Sequence, residues 1–204
     1  MQTARFNGLS AQAGANKMSS RSYPVPAKPI IFVGMMGAGK SAIGRRVAEK
    51  LNLKFMDADD EIESAAGCSI LDIFERHGEE EFREGERRVI LRLLEGPVKV
   101  IATGGGAFMN EQTRAAIKTS SDSVWLSADF ETLWRRVSRR DNRPMLKTSD
   151  PHSTLKKLID ERNATYGEAD LTVESTDGPR DVTVDRVIDA LEAYWRDREA
   201  SKDD

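Results

Sequence analysis

One stretch limits the folds open to this chain more than any other. Residues 30–41 read Ile-Ile-Phe-Val-Gly-Met-Met-Gly-Ala-Gly-Lys-Ser. The four apolar residues Ile30 to Val33 have the length and β-branching of a buried strand. Gly34, four residues, then Gly39, Lys40 and Ser41 match the G-x-x-x-x-G-K-[ST] pattern. A helical pattern follows at once, with Ile43, Val47 and Leu51 on one face. Glycines lack a Cβ, so the backbone can curl round a phosphate with its N–H groups pointing inward. The helix that follows brings the positive end of its dipole to the same point. In such a loop Lys40 reaches the β- and γ-phosphate oxygens and the Ser41 hydroxyl ligates Mg²⁺.

At 204 residues the chain suits one domain with a short excursion or lid. Its net charge of −3 shows no basic excess, which argues against a nucleic-acid partner. The lone cysteine, Cys68, cannot form an internal disulfide and favours a reducing compartment. It reads as a small buried or half-buried residue rather than a nucleophile. No apolar run approaches membrane-spanning length, so no membrane association is expected. Residues 1–28 contain no acidic residue and carry Arg5, Lys17, Arg21 and Lys28. They read as a disordered tail, with a targeting peptide as the alternative. A single domain is expected over 29–199 and a frayed end over 200–204.

Along the chain, a strand is predicted over Lys54 to Met56, ending in Asp57-Ala58-Asp59. Strand alternation would put both aspartates on one side, where Mg²⁺ and a phosphoryl acceptor would sit. Capping of a helix from about Glu61 by Asp59 or Asp60 explains them equally well. From Asp60 to Glu95 the pattern is helical, broken near Gly67 and Gly78. Arg83 and Glu86 share a face there, a spacing that usually gives a solvated surface pair. The strand Val98 to Ala102 runs into Thr103-Gly104-Gly105-Gly106. Three glycines after a strand mean close backbone approach to a ligand or a neighbouring helix.

A short helix is predicted over Asn110 to Lys118 and a strand over Ser123 to Leu126. Asp129 to Arg140 reads as a helix carrying Arg135, Arg136, Arg139 and Arg140. A polar, proline-flanked loop follows, and its Arg143 can close over a phosphate. The alternative is a solvated basic face; no aromatic residues interleave the arginines for base stacking. Ser153 to Tyr166 is helical, Leu171 to Val173 a last strand, and Asp181 to Arg198 an amphipathic helix whose apolar stripe is core. Strands alternate with helices throughout, which predicts an α/β fold with a parallel sheet covered on both faces.

Taken in order, the GMMGAGKS loop, Asp57-Ala58-Asp59, Phe82-Arg83-x-x-Glu86, Gly104-Gly105-Gly106 and Arg143-Pro144 resemble the shikimate kinase family over about residues 30–195. That resemblance implies a three-layer α/β/α kinase fold with a five-stranded parallel sheet. It also implies a helical substrate-binding excursion at about 57–95 and a lid at about 138–152. The implied reaction moves the γ-phosphoryl group of ATP to the 3-hydroxyl of shikimate, in aromatic amino acid biosynthesis. ATP would lie on Gly37, Ala38, Gly39, Lys40, Ser41 and Ala42, with Arg136 and Pro179 bordering the adenine. Ser41 and Asp57 would hold Mg²⁺. Shikimate would meet Asp59, Arg83, Glu86, Gly104, Gly105, Gly106 and Arg162. The catalytic groups would be Lys40, Asp59 and the lid residue Arg143. A cytoplasmic monomer is implied. Two departures stand out. The family usually has a hydroxyl residue where Ala58 stands, and R-x-P-L-Y where this chain reads Arg162-Asn163-Ala164-Thr165-Tyr166. The alternatives are a gluconate or other small-metabolite kinase and a nucleotide-binding pseudokinase.

Overall fold

The computed structural model describes residues 26–139, 144–146 and 148–201. Five strands form one parallel sheet: β1 (Ile30–Val33), β2 (Lys54–Asp57), β3 (Lys99–Ala102), β4 (Asp122–Ser127) and β5 (Leu171–Glu174). Their order is β2-β3-β1-β4-β5. The helices among the described residues are α1 (Lys40–Lys50), α2 (Ala58–Ala66), α3 (Ile70–Leu94), α4 (Glu111–Ser120), α5 (Phe130–Val137), α6 (Pro151–Tyr166) and α7 (Arg180–Ala200). β1 is central and all four of its residues are fully buried. Helices cover both its faces, so its sequence is a continuous apolar run rather than an alternating one.

The register aligns three loops. Phe32 pairs with Ala102, and Ala102 pairs with Asp57, so β1, β3 and β2 end in one row. Both the N–H and the Oγ1 of Thr103 donate to the Phe32 carbonyl, at 3.2 and 2.9 Å. The phosphate loop, the triple glycine and the Asp57–Asp59 segment therefore leave the sheet side by side, at the strand ends where parallel sheets bind ligands. Gly34 makes the first of these exits possible. Its φ is 132°, and a Cβ there would stand 2.5 Å from the Leu126 carbonyl oxygen.

Most boundaries shift by one or two residues, and two differences bear on the site. β2 ends at Asp57 and α2 begins at Ala58, so helix geometry, not strand alternation, places Asp59. The cap of α2 is Asp57, not Asp59 or Asp60: its Oδ1 accepts the Asp59 N–H at 3.1 Å. An extended residue just before the first turn is well placed to satisfy an amide that has no partner within the helix. Farther on, α5 stops at Val137 rather than Arg140.

The two predicted breaks in the excursion are both present. Gly67 ends α2 at φ 66°, and Gly78 kinks α3 at φ 81°. Ser69 starts α3 with a reciprocal capping arrangement to Asp72. Of the expected tail over residues 1–28, residues 1–25 lie outside the described residues, as do 202–204, while Lys28 donates to the Thr119 carbonyl at 2.8 Å. So do residues 140–143 and 147 of the expected lid, including Arg143.

Candidate active site

The phosphate loop is built by its own sequence. Gly39 precedes α1 at φ 99°, and Lys40 begins the helix with its side chain buried. The Lys40 ammonium turns back into the loop, donating to the Gly34 and Met35 carbonyls at 2.8 and 3.0 Å. A cavity of about 690 Å³ opens over this loop. Gly37, Gly39, Lys40, Ser41 and Ala42 form one wall, and Arg136, Ser175, Gly178 and Arg180 stand opposite. Arg136 ties the two walls together. It donates to the Gly37 carbonyl at 3.2 Å, to Ser175 Oγ at 3.1 Å and to the Thr176 carbonyl at 2.7 Å. Asp177 pairs with both Arg135 and Arg136.

Two predicted contacts do not line this cavity. Ala38 is fully buried, because its methyl packs into the core beneath the loop. Pro179 is the residue that precedes α7, and its neighbours Gly178 and Arg180 face the cavity instead.

A second cavity of about 490 Å³ lies beside the first. Arg83, Glu86, Gly104, Gly105, Gly106 and Arg162 line it, and Phe74 and Phe82 give it an apolar side. The two rings pack at a 37° tilt with centroids 4.6 Å apart, and the Arg83 guanidinium lies 5.1 Å from the Phe82 centroid. Arg83 donates to Glu86 Oε2 at 2.7 Å and to Glu79 Oε1 at 3.0 Å. Burial alone would lower the pKa of Arg83, but these two carboxylates outweigh it and push it up.

The surface reading of the Arg83–Glu86 spacing is therefore wrong here: Glu86 is only 2% exposed. Burial raises the Glu86 pKa, against the pull of the Arg83 and Arg162 charges. Its other oxygen, Oε1, has no hydrogen-bond partner, and it is the one such buried side-chain atom among the described residues. An unpaired buried acceptor lining a cavity fits a ligand that brings a hydroxyl donor. Gly106 leaves room for the pair, since a Cβ there would overlap the Arg83 guanidinium.

The two cavities meet. Met36, Ser41, Asp59, Gly104 and Gly105 line both. A group passed from a phosphate chain in the first to an acceptor in the second would cross this shared wall, beside Asp59. Hard oxygen donors stand at this wall and beside it. Ser41 and Asp57 both line the second cavity. Among the described residues no group of three His, Cys, Asp or Glu side chains could hold a metal alone. Mg²⁺ requires no such group where phosphate oxygens and waters complete its shell, so this donor set fits it.

A family model for shikimate kinase matches residues 36–192. The chain belongs to the shikimate kinase family. It is 50% identical over 197 residues to a shikimate kinase from Bradyrhizobium diazoefficiens, covering 91% of this chain and 95% of that one. A Rhodopseudomonas palustris shikimate kinase is 54% identical over 167 residues, 82% of each chain. The fold superposes on a solved shikimate kinase from Acinetobacter baumannii in complex with shikimate. The TM-score is 0.78 and the identity 36%, over 80% of this chain and 92% of that one. A gluconokinase from Sinorhizobium meliloti shares the fold alone, at 17% identity and a TM-score of 0.52, covering 83% of this chain and 97% of that one.

Both departures from the shikimate kinase pattern have a structural account. Ala58 is fully buried at the start of α2, so its side chain faces the core rather than either cavity. Arg162 reaches the second cavity without the usual proline and leucine, and donates to the Gly105 carbonyl at 3.3 Å. The sequence reading passed over Met36, Arg180 and Tyr166. Met36 lines both cavities from a variable position of the phosphate loop, and Arg180 lines the first from the start of α7, where no motif marks it. Tyr166 had a signal: it lies four residues after Arg162 and so on the same helical face.

Proposed function

We propose that this chain transfers the γ-phosphoryl group of ATP to the 3-hydroxyl of shikimate, giving ADP and shikimate 3-phosphate. The observation that carries this reading is the meeting of the two cavities at Asp59. One is walled by a phosphate loop, and the other by a half-buried arginine paired with a buried carboxylate.

Each residue then has a task. Lys40 neutralises charge on the β- and γ-phosphates. Arg136 holds the nucleotide's two walls together, and Arg143 approaches the moving phosphoryl group. Arg83 and Arg162 grip the shikimate carboxylate, for which planar guanidinium groups suit a carboxylate's two oxygens. Glu86 orients Arg83 with one oxygen and takes a ring hydroxyl with the other. Asp59 orients the 3-hydroxyl, whose oxygen bonds to the γ-phosphorus as the bond to the β–γ bridging oxygen breaks. The hydroxyl proton passes to Asp59 or to water. Transfer to the hydroxyl requires that bulk water be kept from the phosphoryl group, the task of a lid over the two cavities.

Ser41 and Asp57 are the residues that would hold Mg²⁺. Bound there with ATP, the ion would neutralise phosphate charge. The reading includes a monomer in the cytoplasm. Its support is that one chain lines both cavities, and that no described helix is long and apolar enough to cross a membrane.

The deciding experiment is ADP release from Mg·ATP with shikimate, with gluconate and with no acceptor. Release that depends on shikimate supports the reading. Release with gluconate alone, or with neither despite ATP binding, overturns it.

A further inference from the structure

Tyr166 is the largest fully buried side chain in the molecule's described part. It ends α6, and its ring stacks on Trp125 of β4 with centroids 5.9 Å apart. A ring packed this way needs no hydroxyl; phenylalanine would fill the same space. Yet the hydroxyl donates to the Gly105 carbonyl, and it lies 3.7 Å from the sulfur of Met35. Arg162, one turn earlier on α6, donates to the same carbonyl at 3.3 Å. Gly105 also packs on the phosphate loop: a Cβ there would be 3.2 Å from the Met36 nitrogen. One buried hydroxyl thus touches both the triple glycine and the loop that would carry the phosphates.

The Gly105 carbonyl belongs to the planar Gly105–Gly106 peptide, so fixing it also fixes the Gly106 N–H on the opposite side. Glycine imposes little φ/ψ preference of its own, so three in a row leave this wall dependent on outside contacts for its shape. Two donors from α6 supply them. We propose that Tyr166 is a positioning residue for the phosphoryl acceptor: its hydroxyl sets the Gly105–Gly106 peptide and with it the shikimate-binding wall. The proposal rests on the shikimate kinase reading above. Tyr166 touches no substrate in this account. It acts through Gly105, and keeps acceptor and donor loops in fixed relation.

The test is Tyr166→Phe, which keeps the ring and removes one oxygen. Steady-state kinetics are run with each substrate varied, and ADP affinity is taken by calorimetry. The expected result is a KM for shikimate raised roughly tenfold, with the KM for ATP and the ADP affinity within about twofold of the unaltered protein. An unchanged KM for shikimate overturns the proposal. Equal loss for both substrates also overturns it, since that is what a purely packing residue would do.

A second measurement needs no variant at Tyr166. The chain has three tyrosines, so the phenolic carbon of Tyr166 can be followed by ¹³C-tyrosine NMR, assigned by way of Tyr23→Phe and Tyr194→Phe. Adding shikimate to the ADP complex is expected to shift that signal; a static signal overturns the proposal. If the unaltered protein releases no ADP in response to shikimate, the functional reading itself has failed, and this proposal falls with it.

Discussion

Asp59 and Glu86, from two different helices, bring their carboxylates to the same glycine. A Cβ on Gly104 would stand 2.6 Å from Glu86 Oε1 and 2.9 Å from Asp59 Oδ1. By the sum of those distances the two oxygens are at most 5.5 Å apart, close enough for both to accept from hydroxyls on one small ring. Gly104→Ala would push a methyl between them. The expected outcome is a fall in kcat/KM for shikimate of about a hundredfold or more, through displaced acceptors at the reacting centre. ADP affinity by calorimetry should stay within about threefold, because the rest of the nucleotide cavity is untouched. Full activity in Gly104→Ala would mean that these carboxylates do not hold the acceptor.

Arg83 carries a second prediction, and it has two parts. Arg83→Ala removes the guanidinium proposed for the substrate carboxylate, so the KM for shikimate should rise about a hundredfold while that for ATP barely moves. It also strands Glu86, which is buried and already raised in pKa by that burial. Leaving a buried carboxylate without its half-buried partner costs about 3 kcal/mol. Urea unfolding should record that loss, and the double variant Arg83→Met with Glu86→Leu should recover part of it.

Lys40 separates chemistry from acceptor binding. It donates to two carbonyls of its own loop, and so is held where phosphate oxygens would lie. Lys40→Ala should lower kcat by roughly 10² to 10³, the range seen when one preorganised charge donor is removed. Shikimate affinity by calorimetry should hold, since Lys40 faces the first cavity and not the second.

Legibility in the sequence follows the range of the contacts. The phosphate loop could be read in full because its parts are consecutive and its geometry is local. All five strands could be read because each holds β-branched or aromatic residues within a short segment. The spacing of Arg83 and Glu86 could be read, but their burial could not. It depends on the kink at Gly78 and on Gly104 and Gly106, some twenty residues later, leaving space for both side chains. The aspartates show the reverse error. Their presence was plain, but a strand that gives way to a helix without a loop moved the cap to Asp57 and placed Asp59 by helical geometry. The face of Tyr166 could be read from its spacing to Arg162, but its bond could not, because its partner Gly105 lies 61 residues away and meets it only once α6 has docked.

Far from the cavities, Asp122 makes a prediction about stability alone. It is 1% exposed at the start of β4, and accepts from Trp195 Nε1 at 2.8 Å and Arg198 Nη1 at 2.7 Å. These two bonds fasten the end of the last helix to the sheet, beside its buried apolar stripe and the bond from Tyr194 to Asp170. Asp122→Ala leaves the indole N–H without its partner and should cost about 2 kcal/mol. That corresponds to a Tm lower by roughly 4–8 °C for a chain of this size. The KM values should not change, because Asp122 sits at the opposite end of β4 from the cavities. A variant with an unaltered Tm would show that the apolar stripe of α7 suffices to hold it.

Tyr166 should also govern behaviour in alkali. Burial pushes its phenol from 10 up to about 12, with the Arg162 charge pulling the other way. The folded chain therefore keeps a proton that the unfolded chain gives up near pH 10. Stability linked to this group is fully present below pH 10, and is lost as pH rises through about 12. Two pKa units correspond to roughly 2–3 kcal/mol. The phenolate ultraviolet absorbance of the native protein should show one tyrosine titrating near 12, and Tyr166→Phe should lack that step. Urea midpoints taken across the same range should fall with pH in the unaltered chain and more shallowly in Tyr166→Phe, where Tyr194 still contributes in the same direction. Equal slopes in the two proteins would mean that the Tyr166 hydroxyl is reached by solvent, and that its bond to Gly105 does not hold the wall.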